Sequence, residues 1–138
     1  MDEKKSHILL VEDDKIDIMT IERAIKDLNM LNPLNVANNG QKAIDFLKDE
    51  KNPKPALILL DINMPVMNGI EFLEVIKKDN YLKMIPVVVL TTSKEEQDKI
   101  TSFKLGVAGY MIKPVDYKQF VDVIRTINLY WLLSEVPT

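Results

Sequence analysis

Five short apolar segments alternate along the chain with longer stretches of helical spacing, and this alternation most constrains the fold. The segments are HILLVE (7–12), PLNVAN (33–38), ALILLD (56–61), PVVVLT (86–91) and AGYMIK (108–113). Three of them lack period-two alternation, which favours central strands covered on both faces. Five strand–helix units in this order predict an α/β fold, a doubly wound five-stranded parallel sheet with helices on both faces.

The stretches between the strands carry apolar residues three and four positions apart, the spacing of one buried helix face. The apolar content of 94–106 is thinner, and Gly106 at its end is a typical helix stop. A last helix is predicted from about Asp116. We expect it to bury a stripe of Phe120, Ile124, Ile127 and Trp131.

The composition fits one soluble domain. The 138 residues are 46% hydrophobic and 28% charged, with a net charge of −3. Absence of cysteine excludes disulfides and thiolate metal sites, and a single histidine, His7, excludes a histidine cluster. The chain has neither a signal-peptide pattern nor an apolar run near the ~20 residues of a membrane span. We therefore expect a cytoplasmic protein without membrane or nucleic-acid partners.

Four of the five predicted strands end in polar side chains that suit a common chemistry. Ligands of open parallel sheets bind beyond the carboxyl ends of the strands, so these side chains should meet there. Carboxylates crowded into one crevice repel one another unless a cation lies between them. The strand ends are Glu12-Asp13-Asp14, Asp61, Thr91-Thr92-Ser93 and Lys113-Pro114.

With oxygen ligands alone, the cation is Mg²⁺, Mn²⁺ or Ca²⁺, and Mg²⁺ best leaves room for phosphate oxygens. Lys113 adds a positive charge and Thr91 a hydroxyl, so the site would accept a phosphoryl group on Asp61. Taken singly, these residues also suit plain structural roles. Asp14 fits a helix N-terminus, and SKEE (93–96) reads as a capping box.

The motifs LLVEDD, LLDINMPVMNG, VVLTTS and YMIKP resemble, in order and spacing, the receiver domain of two-component response regulators. The resemblance covers about residues 6–130. It implies a flavodoxin-like three-layer sandwich with strand order 2-1-3-4-5, and a single receiver domain over 1–138 with a C-terminal extension at 131–138. It also implies a signalling phosphoprotein, not an enzyme, which takes its phosphoryl group from a sensor histidine kinase or phosphotransfer protein.

The resemblance further implies roles for individual residues. Asp61 would be the phosphoacceptor, assisted by Thr91 and Lys113, and Thr91 would form a switch with Tyr110. The Lys113–Pro114 bond is often cis in the family. One departure is Thr92, where the family often has alanine. The implied Mg²⁺ ligands are Glu12, Asp13, Asp61 and the backbone carbonyl of Asn63.

Three other functions have to be weighed against this one. A phosphatase with an aspartyl-phosphate intermediate needs a second acid at position 63, which is Asn63. A flavodoxin-type FMN module needs phosphate-binding amides after strand one, where EDDKID offers acids. A phosphate-independent receiver-like scaffold would not need the complete set of acids, threonine and lysine that is present.

The tail INLYWLLSEVPT resembles that of stand-alone regulators paired with phytochrome-type kinases. No output domain follows in the sequence, so we expect the output to be a protein contact. The apolar surface of the last helix predicts a homodimer through strand five and helix five. The alternative is that Trp131 and Leu132 fold back on the sheet edge. The predicted interface residues are Val123, Ile127, Tyr130 and Trp131.

Overall fold

The computed structural model describes residues 6–132 and contains one five-stranded parallel sheet. The strand order is β2-β1-β3-β4-β5, which confirms both the predicted fold class and the order implied by the resemblance. Because every strand is parallel to its neighbours, all the carboxyl ends lie at one edge. The strands are β1 (Ile8–Val11), β2 (Leu34–Ala37), β3 (Leu57–Leu60), β4 (Val87–Thr91) and β5 (Gly109–Ile112).

Five α-helices connect and follow the strands, and side-chain caps fix the start of most of them. The side chains of Asp14, Asn39, Asn68 and Asp116 accept hydrogen bonds from backbone N–H groups of the first turns of α1, α2, α3 and α5. The N-cap interpretation of Asp14 is therefore correct. The helices are α1 (Lys15–Asp27), α2 (Gly40–Lys48), α3 (Gly69–Lys77), α4 (Glu96–Lys104) and α5 (Tyr117–Ile127).

The sheet divides the core into two layers because alternate residues of each strand face opposite sides. Leu9 and Val11 pack in the layer that includes α2 and α3, whereas Ile8 and Leu10 pack in the layer that includes α1 and α5. All four residues of β1 are buried, as are those of β3. Both layers thus hold the central strands rigidly and aim their ends at the same edge.

Helix α4 departs from the sequence prediction. It begins at Glu96 after Glu95, without a side-chain cap, so the predicted capping box at 93–96 is wrong. The Ser93 hydroxyl donates instead to Asp98 (2.7 Å), and the carbonyl of Ser93 accepts from Tyr110, which keeps Ser93 outside the helix. Gly106 follows α4 in the left-handed region at φ +85°, as expected of a helix stop.

The apolar residues of α4 are also more exposed than the buried helix face that their spacing predicts. Ile100 and Phe103 are 41% and 48% exposed, whereas Ser102 is buried. The Ser102 hydroxyl has no hydrogen-bond partner within residues 6–132. Helix α4 therefore buries little apolar surface, and it is the least firmly packed of the five helices.

The last turn at the end of α5 packs against the sheet. The stripe of Phe120, Ile124 and Ile127 is buried as predicted, and a π-helical turn, Asn128–Leu132, extends the helix. This turn lays the Trp131 ring against β5, so that a Cβ at Gly109 would lie 3.2 Å from it. Trp131 and Leu132 pack against the core, which is the fold-back alternative.

One predicted interface residue is wrong. Ile127 is 2% exposed because it lies on the same buried stripe as Ile124, so its side chain faces the core and not a partner. Val123 is half-buried against the core, and Tyr130 is 67% exposed. The rest of the tail prediction, residues 133–138, lies outside the described residues. Within residues 6–132, each helix is too short or too polar to cross a membrane.

Candidate functional site

Three carboxylates meet at the carboxyl edge of the sheet. Glu12 directly follows β1 and Asp61 directly follows β3, whose last residues, Val11 and Leu60, are paired in the ladder. Ligand atoms of Glu12, Asp13 and Asp61 lie within 4.8 Å of one another. Glu12 and Asp61 are buried and Asp13 is exposed, which leaves one open side. This set of oxygen donors fits a hard divalent cation that keeps several waters.

The backbone around Asp61 is held from two sides. Its N–H donates to the carbonyl of Val11 in β1 (3.0 Å). On the other side, Gly69 at the start of α3 donates its N–H to the Ile62 carbonyl (2.9 Å). The Asp61 side chain accepts from the Ile62 N–H through Oδ1 (2.8 Å). That bond directs Oδ2 toward Lys113, 3.6 Å away.

Lys113 directly follows β5 and lies beside the carboxylates. The structure thus brings together the residues that the sequence predicts at this site. Its side chain is 4% exposed, and its Nζ donates to Glu12 by a short hydrogen bond. It also donates to Asp17 Oδ2 at 2.8 Å. Asp17 lies in the first turn of α1 and was not predicted. The first turn of the helix after β1 lies at this edge, but the sequence does not show that this acid contacts Lys113.

Burial sets the protonation of the Glu12–Lys113 pair. Desolvation raises the pKa of Glu12 to about 7, the hydrogen bond from Lys113 opposes this shift, and the charge of Asp61 adds to it. Desolvation alone would lower the pKa of Lys113, but its bonds to Asp17 and Glu12 outweigh this effect and raise it. Lys113 therefore stays charged, and Glu12 is the group that titrates near neutral pH.

This shift predicts a pH-dependent affinity for Mg²⁺. Because the ion needs ionised carboxylates, a proton on Glu12 competes with it, and affinity should fall by up to about tenfold per pH unit below pH 7. Calorimetric titration of the full chain between about pH 5.5 and pH 8.5 measures this dependence. Glu12→Gln should flatten the profile over the same range. An affinity that is constant below pH 7 in the parent protein would contradict the prediction.

The raised pKa of Glu12 also makes the stability of the metal-free protein depend on pH. The folded-state pKa of Glu12 lies above the unfolded value of 4.5. The contribution of Glu12 to metal-free stability is therefore fully present below pH 4.5 and is lost as the pH rises through about 7. Mg²⁺ should stabilise the protein most strongly above that pH, where the acids repel one another.

The predicted switch residues are linked through one backbone segment. Thr91, at the end of β4, is fully buried, and its hydroxyl accepts from the Ser93 N–H (3.2 Å). Tyr110 of β5 is half-buried and donates its hydroxyl to the Ser93 carbonyl (3.1 Å). Ser93 therefore connects the two side chains.

Three further features of the sequence analysis lie at this edge of the sheet. Asn63 lies exposed in the loop two residues after Asp61. Thr92 is exposed, so the departure from alanine does not fill the site. The Lys113–Pro114 bond is trans, as are all peptide bonds within residues 6–132, so the cis form is not found here. The trans form is the more stable one for X–Pro by ~0.5–1 kcal/mol.

The chain belongs to the family of response regulator receiver domains, which it matches over residues 8–125. Among known proteins it is similar to response regulator Rcp1 of Synechocystis sp., with 40% identity over 129 residues, covering 91% of this chain and 88% of Rcp1. It is also similar to the probable methanogenesis regulatory protein FilR2 of Methanothrix harundinacea, with 35% identity over 128 residues, covering 91% and 83%.

Two solved structures share both fold and sequence with this chain. The Mn(2+)-bound form of Rcp1 superposes with a TM-score of 0.87 at 38% identity, covering 96% of this chain and 99% of that one. The phosphorylated cyanobacterial phytochrome response regulator RcpA superposes with a TM-score of 0.90 at 36% identity, covering 98% and 100%. The family resemblance drawn from the four motifs is thereby confirmed.

Proposed function

We propose that this chain is a phosphorylation-controlled switch whose acceptor is Asp61. The observation that carries the proposal is that the two carboxylate oxygens of Asp61 have different surroundings. Oδ1 is held by the Ile62 N–H, whereas Oδ2 lies at the open acidic edge, 3.6 Å from the Lys113 ammonium. A carboxylate oxygen in that position can attack a phosphorus atom while a fixed cation meets the charge on the phosphoryl oxygens.

The donor is a sensor histidine kinase or a phosphotransfer protein that carries a phosphohistidine. An oxygen of Asp61 forms a bond to phosphorus as the bond from phosphorus to the histidine nitrogen breaks. Lys113 and the Thr91 hydroxyl bind the new phosphoryl oxygens. Glu12, Asp13, Asp61 and the carbonyl of Asn63 would hold Mg²⁺, which supplies charge stabilisation when bound.

A phosphorylation assay separates this function from the alternatives. The protein is incubated with acetyl phosphate, with and without Mg²⁺, and its intact mass is measured. We expect a gain of one phosphoryl group that requires Mg²⁺. A phosphate-independent scaffold would gain none, and an FMN module would instead bind flavin. Absence of any mass gain at saturating Mg²⁺ and acetyl phosphate would refute the proposed function.

The output is a change on the face formed by α4, β5 and α5. The phosphoryl group adds about two negative charges at pH 7. Thr91 then turns toward it and gives up its bond with the Ser93 N–H. Because Tyr110 is bonded to the carbonyl of the same Ser93, it moves too. The weakly packed α4 is the element that such a shift most easily displaces.

Thr91→Ala should uncouple this response from phosphorylation. The variant is still expected to gain a phosphoryl group, because Asp61 and Lys113 are intact. The Tyr110 ring signals in NMR spectra should then barely change on phosphorylation, in contrast to the wild type. Undiminished Tyr110 shifts in Thr91→Ala would reject the coupling.

A homodimer through strand five and helix five remains our proposal, with Tyr130 and Val123 as its accessible residues. Tyr130 is well exposed, and Val123 is partly so. Trp131 would contribute through the surface that its packing on Gly109 leaves open. Sedimentation of the wild type and of Tyr130→Ala at tens of micromolar tests this, and a monomeric wild type would end it. We propose further that this protein is cytoplasmic, and that its partner kinase is of the phytochrome type because the similar RcpA is a phytochrome response regulator.

A further inference from the structure

Asp17 contacts the lysine at the centre of the site, although the chemistry described above gives Asp17 no role. The Asp17 Oδ2 lies 2.8 Å from Nζ of Lys113, whereas Oδ2 of Asp61 lies 3.6 Å from it. The lysine is thus closer to Asp17 than to the residue it is proposed to serve. A single ammonium group with three donors has to divide them among these partners.

The partners of Lys113 differ in the free-energy cost of moving the lysine away from each of them. The Glu12 side chain is 1% exposed, so withdrawing the lysine would leave a buried charge without a partner, at high cost. The Asp17 side chain is 32% exposed and borders a cleft of about 390 Å³ between α1 and the residues after β5. Water can therefore replace the lysine at Asp17, and this is the bond most easily given up.

The backbone that carries Asp17 is held in place by the contacts of α1. Its backbone N–H donates to the N-cap residue Asp14 (3.0 Å), which fixes the first turn of α1. The far end of α1 is held to α5, where the Tyr117 hydroxyl donates to Asp27 (2.6 Å) and Arg23 lies over the Tyr117 ring. Because the helix is anchored at both ends, a shift of Lys113 toward Asp61 would lengthen its contact with Asp17.

We propose that Asp17 is a positioning residue that holds Lys113 back in the unphosphorylated protein and competes for it with the phosphoryl group on Asp61. The proposal rests on the function proposed for Asp61. Phosphorylation would then transfer one hydrogen bond of Lys113 from Asp17 to a phosphoryl oxygen. The Asp17 carboxylate would then be solvated in the cleft. Because the Lys113–Asp17 hydrogen bond exists only before phosphorylation, it stabilises the unphosphorylated state.

The test is the affinity of the full chain for beryllofluoride, a mimic of the phosphoryl group, measured by NMR titration at saturating Mg²⁺. Asp17→Asn should bind it about tenfold more tightly, because a charge-assisted bond that competes for Lys113 is removed. Structural damage would weaken binding and cannot produce this result. Asp17→Glu, which restores a carboxylate on the partly exposed side, should bring the affinity back toward that of the wild type.

Asp14→Asn is the matched control. It removes one negative charge from the same end of α1, keeps a good N-cap, and replaces a side chain that bonds the Ile16 and Asp17 N–H groups and not Lys113. We expect it to change the affinity by no more than about twofold. Equal tightening in Asp14→Asn would show a general charge effect and overturn the proposal.

The remaining outcomes are equally decisive. Unchanged or weaker binding by Asp17→Asn, while the wild type binds well, would overturn the role of Asp17 and leave the role of Asp61 intact. Absence of binding by the wild type itself would refute the proposed function, and the role of Asp17 with it.

Discussion

Asp61→Asn is expected to abolish phosphorylation by acetyl phosphate in the presence of Mg²⁺. The amide is close to the carboxylate in shape and can still accept the hydrogen bond of the Ile62 N–H. It has no anionic oxygen to attack phosphorus. Because the substitution removes one of the clustered negative charges, we expect the fold to be retained and the metal-free protein to be no less stable than the wild type.

Intact mass after incubation with the phosphodonor measures the effect. Asp14→Asn serves as the control, since Asp14 is an exposed acid near the site whose capping role asparagine can take over. This control should be phosphorylated like the parent. The acceptor would be misassigned if Asp61→Asn gained the same mass as the wild type.

Gly69→Ala is expected to be the most destabilising small change in the site. A Cβ at this position would lie 2.5 Å from the Asp61 carbonyl oxygen and 2.8 Å from the Ile62 Cα. Both neighbours are backbone atoms of the segment that carries the acceptor, so neither can rotate away. We expect a loss of ~3 kcal/mol or more in the free energy of unfolding. Displacement of Asp61 should also slow phosphorylation.

Urea denaturation of the two proteins measures this loss. Glu74→Ala, at an exposed position of the same helix, is the control and should change the free energy of unfolding by no more than ~0.5 kcal/mol. If Gly69→Ala unfolded at the same urea concentration as the wild type, the close approach of α3 to Asp61 would not be what holds the acceptor in place.

The sheet and the meeting of the acids could be predicted from the sequence because both follow from burial and topology. Strands covered on both faces are continuous apolar runs, and each predicted segment contains the observed strand, as 56–61 contains Leu57–Leu60. Once the strands are parallel, their carboxyl ends share one edge. Glu12, Asp61, Thr91 and Lys113 then had to meet there.

Contacts that depend on tertiary packing could not be predicted in the same way. The periodicity of α4 did not show that Ser102 would face the core while Phe103 stayed exposed. The spacing of apolar residues in α5 is compatible with both a core and an interface, so the sequence placed Ile127 in both, and its burial shows that it belongs to the core. Asp17 reads in sequence as an ordinary acid of a first helical turn. Only the path of the Lys113 side chain shows that it is a partner.

Chemical trapping of the acyl phosphate identifies the residue that accepts the phosphoryl group. Wild-type protein is treated with acetyl phosphate and Mg²⁺, the acyl phosphate is reduced with borohydride, and the modified peptide is sequenced by mass spectrometry. We expect residue 61 alone to be converted to homoserine, and we expect omission of Mg²⁺ to prevent the conversion. Modification at a different residue, or none at any residue, would contradict the assignment of Asp61 as the acceptor.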